Sequence, residues 1–434
     1  MAIPDNLTEK PKRRQSMSAK LIKRNAESIV IETLMDTPVT VIQGARQVGK
    51  STLTSMIAEN IVSKSVTFDS EITLAAAKEN ALEFVEQFPE GLLIIDEIQR
   101  FPELLSAIKL SVDSHRRPGR FLVTGSANIL NLRGTNESLA GRAETIVLKP
   151  FSVGELNGFK EDFVSLLMCN EILSILTQAK PYTRAEYARL IENGGYPDAQ
   201  SRRGRRREAY FRNYLARVLD HDASELSGLA HIDRMNEIFA LLAGTTSQIY
   251  IRANVSRAVG IPESSMNGYI RLLEDICLIH TLPAWGKNYS KRAISKPKTA
   301  ISDTGLVCSL NGMADGFLAD LENGNELGPV IETFVINEIM KQQTWSEIGF
   351  DVYHYRDKDG KEIDLVLELR SGEIIAIEVK AASSFSRKDF AGMKALRDML
   401  GNRFHCGVLL YTGTEVQPFG DRLYCAPISS IWQF

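Results

Sequence analysis

The chain has 434 residues, 24% of them charged and 44% hydrophobic, with 51 Lys and Arg against 54 Asp and Glu for a net charge of −3. That length predicts roughly two to four domains, and the near balance of charge excludes a global basic field, so any nucleic-acid contact has to come from local patches. Five cysteines (Cys169, Cys277, Cys308, Cys406, Cys425), scattered and never spaced C-x-x-C, argue against a disulfide frame or a zinc site and for a reducing, cytoplasmic setting.

Residues 1 to about 20 are polar and basic, with Lys10, Lys12, Arg13 and Arg14 and no apolar signal-peptide core, and no apolar run is long enough to cross a bilayer, so no membrane partner is expected. Residues 1–30 read as a lead-in whose helix, Leu21 to Met35, feeds a short β-branched strand, Val39-Thr40-Val41-Ile42. Gly44, Ala45, Arg46, Gln47, Val48, Gly49, Lys50, Ser51 and Thr52 follow, and a helix continues to Ala58. A glycine-rich turn between strand and helix, ending Gly-Lys-Ser, predicts a phosphate-binding loop for a nucleoside triphosphate. Its amides cradle phosphate, Lys50 reaches the outer phosphates, and Ser51 places a hydroxyl on Mg²⁺.

Further strands are expected at Val66 to Asp69, Leu92 to Asp96, Arg120 to Ser126 and Thr145 to Leu148, with helices Ile72 to Gln87 and Pro102 to Asp113 between them. This alternation predicts a doubly wound α/β domain over residues 31–160. Asp96 and Glu97 end a strand apolar on both faces, where Asp96 is expected to hold Mg²⁺ and Glu97 to act as the general base on water. Ser126 and Asn128 are candidates for sensing phosphate or positioning water. Arg142, just before the last strand, is a candidate for reaching a neighbouring subunit's phosphates, against the alternative of a surface ion pair.

Residues 161–225 read as a helical lid or linker, interrupted at Gly194-Gly195-Tyr196-Pro197 and followed by Arg202, Arg203, Arg205, Arg206 and Arg207, either a solvated face or a phosphate-binding one. Residues 226–312 read as a winged helix, with helices through Leu242, over Ala253 to Val259 and over Glu263 to Asp275, and with paired strands Leu278 to Leu282 and Thr299 to Ser302. Its connection holds Trp285, Lys287, Asn288, Tyr289, Lys291, Arg292, Lys296 and Lys298, a mixture suited to phosphate contact and base stacking if exposed. DNA is therefore an expected partner, with a protein-interaction lid as the alternative.

Residues 325–434 carry a second constellation. Asp364 lies where a turn enters a strand, and Glu378 and Lys380 share one face of the next strand. If the strands pair as a hairpin, Asp364 faces them, and the two carboxylates can hold Mg²⁺ beside a phosphodiester while Lys380 orients water. The surrounding order is helix (Ile331 to Gln342), three strands, helix (Lys388 to Leu400) and strand (Gly407 to Tyr411), which matches the PD-(D/E)xK nuclease fold.

With Gly44 to Ser51, Leu93-Ile94-Ile95-Asp96-Glu97-Ile98-Gln99, Gly125-Ser126-Ala127-Asn128, Leu139-Ala140-Gly141-Arg142 and Gly360-Lys361-Glu362-Ile363-Asp364 in place, nearly the whole chain resembles a prokaryotic family of AAA-type ATPases. Members carry a C-terminal region of unknown function and are related to archaeal ATPase and signalling-NTPase lineages. The resemblance implies an ATPase core, a winged-helix middle, a nuclease-like end, ATP rather than GTP, and a homo-oligomer. Three roles stay open: an ATP-driven switch or motor on DNA, an ATP-gated nuclease using Asp364, Glu378 and Lys380, and a nucleotide-loaded scaffold for a protein partner.

Overall fold

The computed structural model describes residues 21–126, 139–223, 229–288, 292 and 295–434. Asn128, Tyr289, Lys291 and the basic residues from Lys10 to Arg14 lie outside the described residues.

After a first helix, Glu27–Asp36 (α1), the strand Val39–Gln43 (β1) runs into the glycine-rich loop and the helix Lys50–Ala58 (α2). Strands Ser63–Thr67 (β2), Leu92–Asp96 (β3), Phe121–Gly125 (β4) and Ala143–Val147 (β5) complete a parallel sheet in the order β2-β3-β4-β1-β5. Alternation along the strands divides the core in two. Val39, Val41, Leu93 and Ile95 pack on the helix Leu104–Ser114, whereas Ile42, Leu92, Ile94 and Leu122 join a core that continues through the rest of the molecule. The single helix expected over Ile72 to Gln87 is two, Glu71–Glu79 and Ala81–Val85. Asn80 divides them because its side chain accepts from the Glu83 N–H and caps the second.

Short helices follow, among them Val153–Asn157, Arg184–Asn193 and the longer Arg205–Arg217 (α3). Helices Met235–Gly244, Arg252–Val259 and Met266–Asp275 then lead to an antiparallel ribbon of Ile279–Leu282 (β6) and Lys298–Ile301 (β7), the winged-helix arrangement expected. In the last third, strands Phe350–Arg356 (β8), Glu362–Leu369 (β9), Ile374–Lys380 (β10) and Phe404–Tyr411 (β11) pair in that order, with Leu423–Pro427 (β12) beside β11. The helix Ala391–Leu400 precedes β11, so the element order is the one read from sequence.

One helix, Gly324–Gln342 (α4), ties these regions together. The Val153 N–H donates to Glu338 at 2.9 Å, Lys341 donates to Phe151 O at 2.9 Å, and the Phe163 N–H donates to Gln342 at 2.8 Å. On its winged-helix side, Thr333 shares hydrogen bonds with Thr246 at 2.9 Å and Ser247 at 2.7 Å, and Asn337 donates to Ile301 O at 3.0 Å.

Glu161, at the head of the helical region, is fully buried. Its Oε2 accepts from Asn25 at 2.7 Å, and its Oε1 has no partner among the described residues. Burial pushes its pKa up to about 8. The folded chain therefore holds a proton that the unfolded chain releases near pH 4.3, and this group's contribution to stability is full below that pH and lost as pH rises through about 8. Thermal unfolding of Glu161→Gln, which mimics the protonated acid, is expected to match wild type near pH 5 and to exceed it at pH 8.5. Parallel pH profiles of Tm would overturn this.

Candidate functional site

The loop begins at Gly44, where a Cβ would lie 2.1 Å from Leu148 O at the end of β5, so the backbone can pass only without a side chain. Gly49 has φ of 97°, a left-handed turn that starts α2 and suits glycine. The amino end of α2 then offers its unpaired N–H groups to the loop. Lys50 is buried, and its Nζ donates to Gly44 O at 2.9 Å and Ala45 O at 3.1 Å. Burial lowers its pKa, while Glu97 pulls the other way. Behind the loop, buried Arg24 donates to Val48 O at 2.8 Å, Lys149 O at 2.6 Å and Glu155 at 3.0 Å, and its guanidinium lies 4.6 Å from the Phe151 ring centre. The sequence offered no sign of this clamp beyond a lone Arg in the lead-in helix.

Asp96 and Glu97 leave β3 at the same edge of the sheet, separated from the loop by β4. Ser51 Oγ donates to Asp96 Oδ2 at 2.8 Å, and Thr124, near the end of β4, donates to Asp96 Oδ1. The Glu97 N–H donates to Thr124 Oγ1 at 3.3 Å. Thr124 thus holds the acidic pair, a role for which the sequence reading had no candidate. Glu97 has φ of 60°, a left-handed conformation that costs a non-glycine residue on the order of 1–3 kcal/mol and concentrates at functional sites. Burial raises its pKa, with Lys50 opposing. Gln99 Nε2 donates to Glu97 Oε2 and, at 2.9 Å, to Ser126 Oγ, so Ser126 reaches Glu97 through Gln99. Ser51 and Asp96 already meet and are hard oxygen donors, the set Mg²⁺ takes. Among the described residues no group of three or more His, Cys, Asp or Glu is arranged to hold a metal ion.

The arginine run is not a uniformly solvated face. Tyr210 of α3 donates to Gln47 Oε1 at 3.2 Å, and a pocket of about 340 Å³ opens between the tip of the loop and α3. Arg46 and Gln47 line it from the loop, and Arg202, Arg206, Tyr210 and Arg217 from the other side, with no carboxylate in the lining. Arg202 lies 4.9 Å over the Tyr210 ring, and Arg206 and Arg217 are exposed. Arg207 turns away to pair with Asp315. Arg142 sits at the start of β5, the edge opposite the loop, and grips Asp113 with contacts of 2.6 and 3.0 Å.

Residues 36–157 match the AAA domain family. The chain carries an AAA-type domain. Residues 184–316 and 327–431 match two families described as domains of unknown function (DUF8612 and DUF4143). Two uncharacterized proteins, from Mycobacterium bovis and Mycobacterium tuberculosis, are each 27% identical over 412 residues, 94% of this chain and 84% of theirs. Among solved structures, a Walker-type ATPase of Pyrococcus abyssi is 16% identical, covers 67% of this chain and 96% of its own, and has a TM-score of 0.40. AMPPCP-bound DnaA from Aquifex aeolicus is 14% identical, covers 57% and 86%, and has a TM-score of 0.27.

Far along the chain from the AAA domain, the C-terminal residues also converge. Antiparallel register between β9 and β10 sets Asp364 across from Glu378, and Asp364 Oδ2 accepts from the Val379 N–H at 2.9 Å. Lys380 lies 3.0 Å from Glu378 and 3.5 Å from Asp389. Glu332 of α4 joins them, bound at 2.7 Å by Lys298 of the wing, which also lies 3.4 Å from Asp364. Burial, reinforced by Asp364, pushes the pKa of Glu332 and Glu378 up. The wing's expected exposure is corrected here. Trp285 and Lys298 are buried, and Arg292 grips Glu368 at 2.5 and 3.1 Å while stacking on Trp285 and Tyr353. Lys287 donates to Met399 O at 3.0 Å. These groups are occupied by the C-terminal region and α4, and the Trp285 backbone N–H donates to His354 O and ties the ribbon's end to β8. Composition alone cannot distinguish a cation facing phosphate from one facing another domain.

Proposed function

We propose that the chain hydrolyses ATP with Mg²⁺ and uses the cycle as a switch or motor acting on DNA. The observation that carries the hydrolytic reading is Glu97, half-buried and held in a left-handed turn beside Asp96, with its pKa raised by partial burial as suits a general base. Lys50 and the loop amides would bind the phosphates, Ser51 and Asp96 would hold Mg²⁺, and Glu97 would take a proton from the attacking water. When bound, the metal would neutralise charge that builds on the outer phosphates. Gln99 and Thr124 would fix the acids' orientation.

The DNA part rests on local charge, and α3 with its exposed arginines now supports it better than the wing. Turnover measured with and without duplex and single-stranded DNA tests it, and a rate indifferent to both would remove DNA from the reading. Convergence of Asp364, Glu378 and Lys380 favours nuclease action as a second reading, tested by Mg²⁺-dependent cleavage that disappears in Lys380→Ala.

Arg142 is proposed to act on a neighbouring subunit's phosphates. Its ion pair with Asp113 is surface-facing and therefore weak, so it can be exchanged for a phosphate. Turnover per chain is expected to climb with protein concentration in wild type and to stay low and flat in Arg142→Ala. Concentration-independent wild-type turnover would refute a role in trans.

A further inference from the structure

The ribbon β6–β7 touches both constellations. At one end, β6 and the turn before it face the AAA domain across a pocket of about 280 Å³. Cys277, His280 and Thr281 line it from the winged helix, and Gln43, Ala45 and Lys149 line it from the sheet's carboxyl edge. Ala45 belongs to the phosphate loop, and its carbonyl accepts from Lys50. At the other end, Leu282 is paired in register with Lys298, which places Lys298 about 7 Å further along the strand than His280. Lys298 is 5% exposed, and its ammonium sits on Glu332 and Asp364. A hydrogen-bonded ribbon spans the gap between the two places.

Lys298 is a strange residue for that position. The carboxylates around it come from α4 and β9, and the winged helix supplies the positive charge beside them. Its Nζ lies within ion-pair distance of both carboxylates, 2.7 Å from Glu332 and 3.4 Å from Asp364. Removing one member of such a buried pair leaves the other uncompensated, so the contact resists being opened.

We propose that the ribbon couples the phosphate loop to the C-terminal carboxylates, with Lys298 as the latch: triphosphate at the loop draws Lys50 off the Gly44 and Ala45 carbonyls, the wall of the ribbon pocket shifts, and Lys298 withdraws from Glu332 and Asp364. This rests on the nucleotide-binding reading above. It makes the winged helix an internal restraint on the C-terminal site, released by nucleotide.

Linkage gives the test its sign. If nucleotide favours the released state, a chain without the latch has no ion pair to break on binding, and it binds more tightly by the same factor that nucleotide loosens the latch. Titration calorimetry with a non-hydrolysable ATP analogue and Mg²⁺ is expected to show Lys298→Gln and Glu332→Gln binding about 5- to 150-fold more tightly than wild type, the usual span of allosteric coupling. Arg370→Gln, which breaks an exposed pair with Asp351 in the same sheet, is expected to match wild type. Hydrogen exchange supplies a readout that does not depend on affinity. The Val379 amide, bonded to Asp364, is expected to exchange faster in wild type when the analogue is added and to be fast in Lys298→Gln without it. Equal affinities in wild type and both latch variants, with unchanged exchange at Val379, would overturn the coupling and leave nucleotide binding standing. Failure of wild type to bind the analogue would remove both. Should Lys298→Gln not fold, Glu332→Gln carries the comparison alone.

Discussion

Glu97→Gln is expected to bind ATP with little change in affinity and to turn it over about 10²- to 10⁴-fold more slowly, the usual contribution of a positioned general base. The amide keeps the shape of the carboxyl and can still meet Gln99, so the left-handed turn at residue 97 and the Asp96 contacts to Ser51 and Thr124 are expected to survive. What is lost is a basic oxygen. Loss of turnover together with retained binding separates a chemical role from a structural one, because a collapsed site would lose both. Steady-state turnover and calorimetric binding on the same preparation check this. A variant turning over within threefold of wild type would exclude Glu97 as the base.

The double variant Arg206→Ala, Arg217→Ala is expected to lose about 10³-fold in kcat, at the lower end of what an arginine on a transferring phosphoryl group contributes. Both line the pocket that opens on Arg46 and Gln47, and that pocket contains no carboxylate to absorb their charge. Positive charge gathered at an exposed pocket is tolerable at the surface and useful when a polyanion arrives. If the arginines meet charge that develops during transfer, kcat falls while KM stays within about tenfold; uniform binding would raise KM instead. Arg205→Ala, one position along the same run but outside the pocket lining, is the matched control and is expected to behave as wild type. A double variant no slower than Arg205→Ala would remove Arg206 and Arg217 from the transfer step.

These expectations mark where the sequence was legible. Loop, acidic pair and the alternation of strand and helix at the AAA domain were readable because each is set by neighbours within a few residues: glycines where the chain must turn, β-branched residues where it must be buried on both faces. The hairpin holding Asp364 opposite Glu378 was readable for the same reason, since alternation fixes the face and a short turn fixes the register. Glu332 was visible only as one acid on a helix, and its place beside Asp364 depends on how α4 packs against a sheet formed later in the chain. Lys298 and Arg292 were misread more seriously. Their composition suited phosphate, but their partners, Glu332 and Glu368, lie 34 and 76 positions away. Arg24 clamps the loop through carbonyls and a carboxylate up to 131 positions distant, a relation no local pattern encodes. The arginine run lay between these cases, since its charge was evident and its orientation toward Gln47 was not.

The helix α4 also sets a timetable. Phe163 and Val153 lie near the end of the first domain, yet their N–H groups wait for Gln342 and Glu338, which are 179 and 185 positions further on. At ordinary rates of synthesis those partners emerge roughly ten to forty seconds later. Until then, the underside of the AAA-type domain lacks partners for these backbone donors, and it cannot settle into its final packing. A ribosome that stalls anywhere before residue 324 therefore leaves a first domain with a complete phosphate loop and an incomplete foundation, a species suited to capture by chaperones and unsuited to work. Synthesis through the end of α4 becomes the condition for a finished first domain, so this chain should tolerate circular rearrangement, and termination before Gln342, poorly even though its motifs lie in separate, orderly blocks.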